Sequence, residues 1–272
     1  MYVYFSKSRK MNVPKIRLSS NYVKGSCAER TNLAANFNKQ IFSEIYTLYQ
    51  NRNSVSIREL ERTYKKLMPE PVYLTVKKLI KDEFKNYTGA TIVYFYNNKV
   101  TNYKMALTAK NNKMEISELP TLMHESMHLF NYLLNPKYIK TAEKLRERNL
   151  KDTEVDLYTN YYYTNKIYGI DFIDNLLLQR TKYKTKKAIK HLSADDKILV
   201  LNSIRESLQS EINAYKETQK YATELRKKNR QHKTYECKGY QKNFMFEKKL
   251  DIVNSILYKI IKHERNKNIA KL

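Results

Sequence analysis

The sequence predicts a mostly helical α+β fold in which a small antiparallel sheet precedes the helix that carries the candidate functional site. The 272 residues include only 4 Gly and 5 Pro, which is too few for the many tight turns of a β-sandwich or a propeller. In several long segments, apolar residues recur every three or four positions, and that period is typical of amphipathic helices. A chain of this length can also bury a sizeable core.

Helices account for most of the expected elements. The first is expected over residues 32–49, and the second over 56–68, where Ser56 and Glu59 form a capping-box pattern. A third helix is expected over 73–84. Beyond Pro136, we expect helices at about 138–148, 153–168, 171–179, 195–226 and 245–264, with exposed basic loops at 180–190 and 226–242.

A short region before residue 120 has the period of β-strands instead. Residues 91–96 and 103–108 are β-branched and aromatic runs separated by Asn97-Asn98-Lys99, which predicts a hairpin. A third short strand is expected over 113–117. The chain then passes through Pro120 into the next helix.

The chain is strongly basic. Its 52 Lys and Arg against 27 Asp and Glu give a formal net charge of +25, which favours electrostatic binding to polyanions such as nucleic acid or an acidic membrane surface. The basic residues are spread along the chain, however, and form no recognisable nucleic-acid-reading module. Compositional drift of the coding sequence explains the same balance without any partner.

The cysteines and the apolar segments of the sequence indicate in which cellular compartment the protein is expected. Cys27 and Cys237 are the two cysteines, and neither belongs to a Cys-x-x-Cys pair, which fits a reducing environment. The N-terminal residues do not have the pattern of a signal peptide, and no stretch reaches the roughly 18 apolar residues of a membrane span. We therefore expect a protein of the cytoplasm, or one packaged in a virion.

The most specific chemical signal is the run His124-Glu125-Ser126-Met127-His128. Residues four apart on a helix lie on one face, so His124 and His128 can present two imidazole nitrogens to one metal ion. Glu125 projects about 100° around the helix from His124. It therefore does not share their coordination position, but it can act as a general base toward a water molecule.

The residues around this run favour a metal site over a chance spacing of two histidines. An apolar stripe beside the histidines predicts a buried helix, in which polar side chains require a partner. Pro120 in the first turn and Asn135-Pro136 at the end define a helix of suitable length. The stripe consists of Leu119, Met123, Met127, Phe130 and Leu134.

Residues 124–128, together with the strand-then-helix order before them, resemble the zincin metallopeptidases. The resemblance covers a small part of the chain. It implies one Zn²⁺ per chain, a protein or peptide substrate, and hydrolysis by water whose pKa the metal lowers to roughly 7, with Glu125 as general base. It also implies a single zincin-like domain over 31–272 with a helical C-terminal part. The mixed, basic residues 1–30, with Pro14 and Gly25 as breakers, predict an N-terminal arm or lead-in before that domain.

The chain departs from one subgroup of this family. Where the metzincins have a glycine and a third histidine, this sequence has Asn131 and Leu134. The resemblance therefore points to the gluzincin type, in which a glutamate on a later helix completes the site.

Three glutamates compete for the third ligand position. Glu211 lies within an apolar stripe of the helix expected over 195–226, where a buried carboxylate needs a cation. The run after Glu211 also resembles the Glu-x-x-Ala helices of several gluzincins. Glu154 is the alternative, although acids in a first helical turn are common for dipole reasons alone. Glu206 shares its face with polar residues and is expected to be solvated.

Two further questions stay open at the level of sequence. An oxyanion-stabilising donor can be Tyr158, Tyr215 or one of His191, His232 and His263. The alternative function is a basic structural or nucleic-acid-associated protein, such as a component of a viral particle, that has a zincin fold and little or no turnover. The tyrosines at 161–163 are most simply interpreted as helix core and rim, and the alternative is that they stack on bases together with neighbouring lysines.

Overall fold

The computed structural model describes residues 27–68, 74–78, 89–97, 99–158, 171–228 and 239–270. These residues form a mostly helical α+β structure with two small sheets, which confirms the predicted fold class. The chain divides into two compact units: residues 1–136 with 216–237, and residues 137–215 with 238–272. No helix in the described ranges combines the length and the apolarity that a membrane span needs.

The elements follow one another along the described chain. The helices are α1 (Cys27–Leu48), α2 (Ile57–Leu67), α3 (Leu119–Leu134), α4 (Pro136–Glu147), α5 (described over 151–158), α6 (Asp171–Ala188), α7 (Ala194–Lys228) and α8 (Gly239–Ile269). A short 3-10 helix over Ile116–Glu118 precedes α3. The strands are β1 (Ser54–Ser56), β2 (Leu74–Lys78), β3 (Gly89–Tyr96), β4 (Lys99–Leu107) and β5 (Lys113–Glu115).

The predicted hairpin forms two of the three strands of the larger sheet in the first unit. Strands β3 and β4 pair antiparallel, and β2 adds to the other side of β4 in parallel orientation. Asn97 takes a φ of 48° at the turn between β3 and β4, a left-handed conformation that asparagine tolerates. The predicted third strand is β5, and it pairs antiparallel with β1 in a separate two-stranded sheet. Within the described residues, β3 therefore lies at a sheet edge.

Helices α1 and α2 form as predicted and support α3 in the same unit. The ring of Phe37 on α1 packs at 5.6 Å from the ring of Phe130 on α3. Asn38 donates a hydrogen bond of 3.0 Å from its side-chain nitrogen to the carbonyl oxygen of Met123. The predicted apolar stripe of α3 is buried as expected.

Two element predictions are wrong. The helix expected over 73–84 is strand β2 at Leu74–Lys78, because the Thr-Val sequence suits a strand and β4 offers it a complete pairing edge; residues 79–84 lie outside the described ranges. The basic loop expected over 180–190 is helical to Ala188. There, Thr181, Thr185 and Ile189 are buried at intervals of four, and this helical period depends on two threonines, which are polar residues and do not form an apolar stripe in the sequence.

Other expectations fall partly outside the described residues. Of the lead-in expected over 1–30, residues 1–26 are outside, and α1 already begins at Cys27. Of the second basic loop, residues 229–238 are outside, and α8 begins at Gly239. Cys237, His232 and the tyrosines at 161–163 also lie outside the described ranges.

The second unit has its own apolar core. It is formed by one side of α7 together with residues from α4, α5 and α8. Buried members of this cluster are Leu145, Leu157, Ile189, Val200, Leu201, Ile204, Leu208, Ile212, Phe246 and Val253. The apolar stripe that the sequence predicts on α7 is therefore buried in this core.

The predicted capping box begins α2. The Ser56 hydroxyl accepts a hydrogen bond of 3.2 Å from the Glu59 backbone N–H, and the Ser56 backbone N–H donates to the Glu59 carboxylate at 3.0 Å. The Ser56 hydroxyl also donates to Oε2 of Glu59 at 2.7 Å. This hydrogen bond, and after it the one from the Ser56 backbone N–H, lowers the pKa of the Glu59 carboxyl below its usual value.

We expect the Ser56→Ala substitution to lower the free energy of unfolding by about 1 kcal/mol, because it removes the N-cap acceptor of α2. Urea denaturation followed by circular dichroism measures the change. The part of the capping-box stabilisation that depends on the ionised Glu59 carboxylate is lost as the pH falls through the lowered pKa of this group in the folded state. Ser54→Ala on the same strand is the matched control, and an equal loss there contradicts the assignment.

Candidate metal centre

Helix α3 carries the central motif and is fixed by polar contacts as well as by its apolar stripe. The Ser126 hydroxyl donates to the carbonyl oxygen of Leu122 at 2.7 Å and also contacts the buried hydroxyl of Tyr64. Burial raises the pKa of Tyr64 far above its ordinary value, so this hydroxyl keeps its proton. These contacts hold the turn of α3 that lies between the two histidines.

The two histidines of α3 face each other at a spacing suited to a metal ion. The Nε2 atoms of His124 and His128 are 3.1 Å apart, and the rings meet edge to face at 79°. Two ligand atoms at 2.0–2.1 Å from a tetrahedral ion are about 3.3 Å apart, so the observed spacing needs little adjustment. His128 is buried, with the ring of Tyr132 stacked at 6.2 Å.

Thr218 on α7 orients His124. Its Oγ1 lies 3.0 Å from Nδ1 of His124. A proton on Nδ1 that is donated to Thr218 leaves the Nε2 lone pair directed at the site, and such outer contacts fix the tautomer and the ring orientation of metal-binding histidines. Thr218 is not among the site residues predicted from the sequence, although it lies seven residues after Glu211 and thus within about 20° of it on α7.

Glu211 joins the two histidines. One ligand atom each from His124, His128 and Glu211 all lie within 4.8 Å of one another. Glu211 is buried on α7, the helix that two turns later contacts His124 through Thr218. The group can therefore hold a metal ion, and two imidazoles with one carboxylate suit several divalent metals, zinc among them. Three protein ligands also leave a coordination position open.

Tyr158 positions the carboxylate of Glu211. Its hydroxyl donates a hydrogen bond of 2.6 Å to Oε1 of Glu211. Carboxylates that bind metals are commonly held in this way by a second hydrogen-bonding group. The contact places Tyr158, one of the candidate oxyanion donors, at the metal-binding group, and its role as such a donor stays a prediction.

The two competing glutamates lie elsewhere. The Glu154 carboxylate accepts a hydrogen bond of 3.3 Å from Ser203, which is eight residues, or about 12 Å along the helix axis, before Glu211. Burial raises the pKa of Glu154, against the lowering effect of Ser203 and Lys151. Glu206 is half-buried rather than solvated, with one carboxylate oxygen shielded from water. Neither belongs to the His124, His128 and Glu211 group.

Glu125 is held beside the start of β3 and is 5% exposed. Thr91 Oγ1 lies 2.9 Å from Oε2 of Glu125 and 2.8 Å from its carbonyl oxygen, so the single hydroxyl proton is shared between two acceptors of the same residue. A Cβ atom built at Gly89 would lie 2.8 Å from Cγ and 3.0 Å from Oε1 of Glu125. The missing side chain at Gly89 thus makes room for the carboxylate.

Sequence reasoning missed Gly89 and Thr91 as well. They are two residues apart and so lie on one face of β3, but only the fold brings this face to Glu125. Of the remaining candidates, Tyr215 is buried against Phe246, with ring centroids 5.7 Å apart, and His191 and His263 are exposed.

The chain matches no protein-family model, no curated protein and no solved structure. Function therefore has to be inferred from the geometry of this group and of the residues around it.

We expect Thr218→Val to weaken metal binding by about 10- to 100-fold, because valine keeps the shape but no longer fixes the His124 ring. Competition with a chromophoric chelator measures the dissociation constant. The control is Thr223→Val, at an exposed position of the same helix. If both variants bind the metal as tightly as the unmodified chain, the assigned role of Thr218 is wrong.

Proposed function

We propose that this protein is a zinc-dependent peptidase in which His124, His128 and Glu211 hold the metal and Glu125 is the general base. The observation that supports the proposal is the convergence of two imidazoles and one buried carboxylate within 4.8 Å. The glutamate between the two histidines is buried beside them on the same helix. This is the residue set that metal-assisted hydrolysis requires.

The three ligands would provide two neutral nitrogens and one negative charge. A zinc ion bound there would act as a Lewis acid that polarises the scissile carbonyl and lowers the pKa of water to roughly 7. His124 is oriented for this role by Thr218, and Glu211 by Tyr158. The outer partner of each of these two ligands is a hydroxyl group. The hydroxyls orient the ligands, and the charges of the site would be those of the metal and of the carboxylates.

Glu125 supplies the proton transfer. As general base it takes a proton from the attacking water, and as general acid it returns the proton to the leaving nitrogen. Its contact with Thr91 engages Oε2, so Oε1 is the oxygen that we assign to this exchange. The Thr91 hydrogen bonds and the space at Gly89 together restrict the carboxylate to one orientation.

Strand β3 supports a peptide as the substrate. In the described part of the chain, β3 has a strand partner on one side, which is β4. An edge strand offers backbone N–H and C=O groups to an extended peptide. Because Thr91 on β3 contacts Glu125, a peptide that pairs along this edge would pass close to the general base.

The Glu125→Gln substitution is expected to abolish peptide hydrolysis by the zinc-loaded protein while zinc binding is kept, since the amide has the same shape but does not accept the proton. Cleavage of casein and of a quenched-fluorescence peptide library measures the activity. Glu115→Gln, at an exposed position of β5, is the control and should cleave normally. Hydrolysis that survives in Glu125→Gln, or a zinc-loaded chain that cleaves no peptide, contradicts the proposal.

The Gly89→Ala substitution tests the placement of Glu125 independently. The new methyl group would displace the Glu125 carboxylate, and a shift of about 1 Å in a catalytic group typically lowers kcat by about 100-fold. Zinc content should stay unchanged, because no ligand is touched. Ala90→Ser on the opposite face of β3 is the control. Normal turnover in Gly89→Ala would show that Glu125 does not depend on this contact.

A further inference from the structure

A basic groove lies in the second unit, among α6, α7 and α8. It has a volume of about 390 Å³. Two isoleucines on its floor, Ile189 and Ile256, are 3% and 6% exposed. The lysines that line it come from the three helices and from the turn after α6: Lys182, Lys186, Lys190, Lys197 and Lys259.

The positive charge of this groove is not neutralised locally. No carboxylate is among its lining residues, and within the described ranges none of these five lysines takes part in an ion pair. Residues 175–194 contain no Asp or Glu at all. Asp196, which precedes Lys197, binds Arg148 at 2.7 Å. Five clustered cations of this kind attract a ligand with several negative charges.

Aromatic side chains accompany the lysines. Tyr183 on α6 is 67% exposed and lies three residues before Lys186, so the two side chains are separated by about 60° around the helix. Tyr258 on α8 is 65% exposed and adjoins Lys259. Neither tyrosine lines the groove itself, but each neighbours a lysine that does. Proteins bind single-stranded nucleic acid by combining a positively charged groove with aromatic rings on which bases stack.

We propose that the groove binds the phosphate backbone of single-stranded nucleic acid, with a base stacked on Tyr183. The exposed ring of Tyr183 can stack on a base face only where the base is unpaired, which disfavours a duplex. A lipid surface is disfavoured because Ile189 and Ile256 are buried in the floor and so do not insert into a bilayer. The proposal does not rest on the peptidase activity.

Fluorescence anisotropy of a labelled 20-mer of deoxythymidylate tests the proposal on the full chain. If five phosphates are contacted, the slope of log K against log salt is about −3.5. The triple variant Lys182→Gln, Lys186→Gln, Lys190→Gln should reduce that slope by about 2 and weaken binding by about 100-fold at 0.1 M salt. These lysines are exposed, so the fold should be kept, and circular dichroism checks this.

The matched control removes the same amount of charge from the first unit. Lys39→Gln, Lys66→Gln, Lys110→Gln changes three exposed lysines and lowers the net charge equally from +25. This variant should bind within about threefold of the unmodified chain. If the two triple variants lose oligonucleotide affinity equally, the groove is not the binding site, and binding reflects only the net charge of the chain.

A second measurement concerns Tyr183. Tyr183→Ala should weaken binding by about fivefold or more, whereas Tyr96→Ala, at an exposed tyrosine of the first unit, should not. Equal affinity for a 20-base-pair duplex, tighter binding to phosphatidylserine vesicles than to the oligonucleotide, or no oligonucleotide binding at 0.05 M salt would each overturn the proposal. Binding that is unchanged after metal removal separates this result from any failure of the proposed peptidase activity.

Discussion

The spacing of two imidazole nitrogens on α3 is the constraint from which the rest of the site follows. Nε2 of His124 and Nε2 of His128 are 3.1 Å apart, close to the separation that a tetrahedral metal ion imposes on two ligands. Two such groups cannot both become cationic at this distance without strong repulsion. The two imidazoles can therefore hold a metal cation only as neutral ligands, and the carboxylate of Glu211, which can supply negative charge, lies within reach of both.

The polar groups of α3 carry a cost that the neighbouring elements offset one by one. Glu125, Ser126 and His128 are all buried, and burial of such groups without partners costs several kcal/mol. Thr91 on β3 hydrogen-bonds Glu125, and Tyr64 on α2 contacts Ser126. The sheet edge, the second helix and α7 thus each contribute one hydroxyl to the motif or its surroundings. The same contacts that make the burial tolerable also fix the geometry that catalysis would need.

The sequence predicts those features of the site and fold that depend on residues close together in the chain, and it misses those that depend on residues far apart. The spacing of His124 and His128, the capping box at Ser56 and the place of Glu211 in an apolar stripe are local patterns, and each was predicted correctly. Thr91 and Thr218 were missed because their partners lie 34 and 94 residues away. Strand β2 was missed for a related reason, since its pairing with β4 overrides a local pattern that also fits a helix.

The metal content of the purified chain tests the central claim most directly, and it is best measured by inductively coupled plasma mass spectrometry after dialysis. We expect one zinc ion per chain, lost in Glu211→Gln and kept in Glu154→Gln, because only the first glutamate lies with the histidines. Both substitutions replace a buried or half-buried carboxylate by an amide of the same shape. Zinc that persists in Glu211→Gln, or that is lost in Glu154→Gln alone, would contradict the assignment of the site.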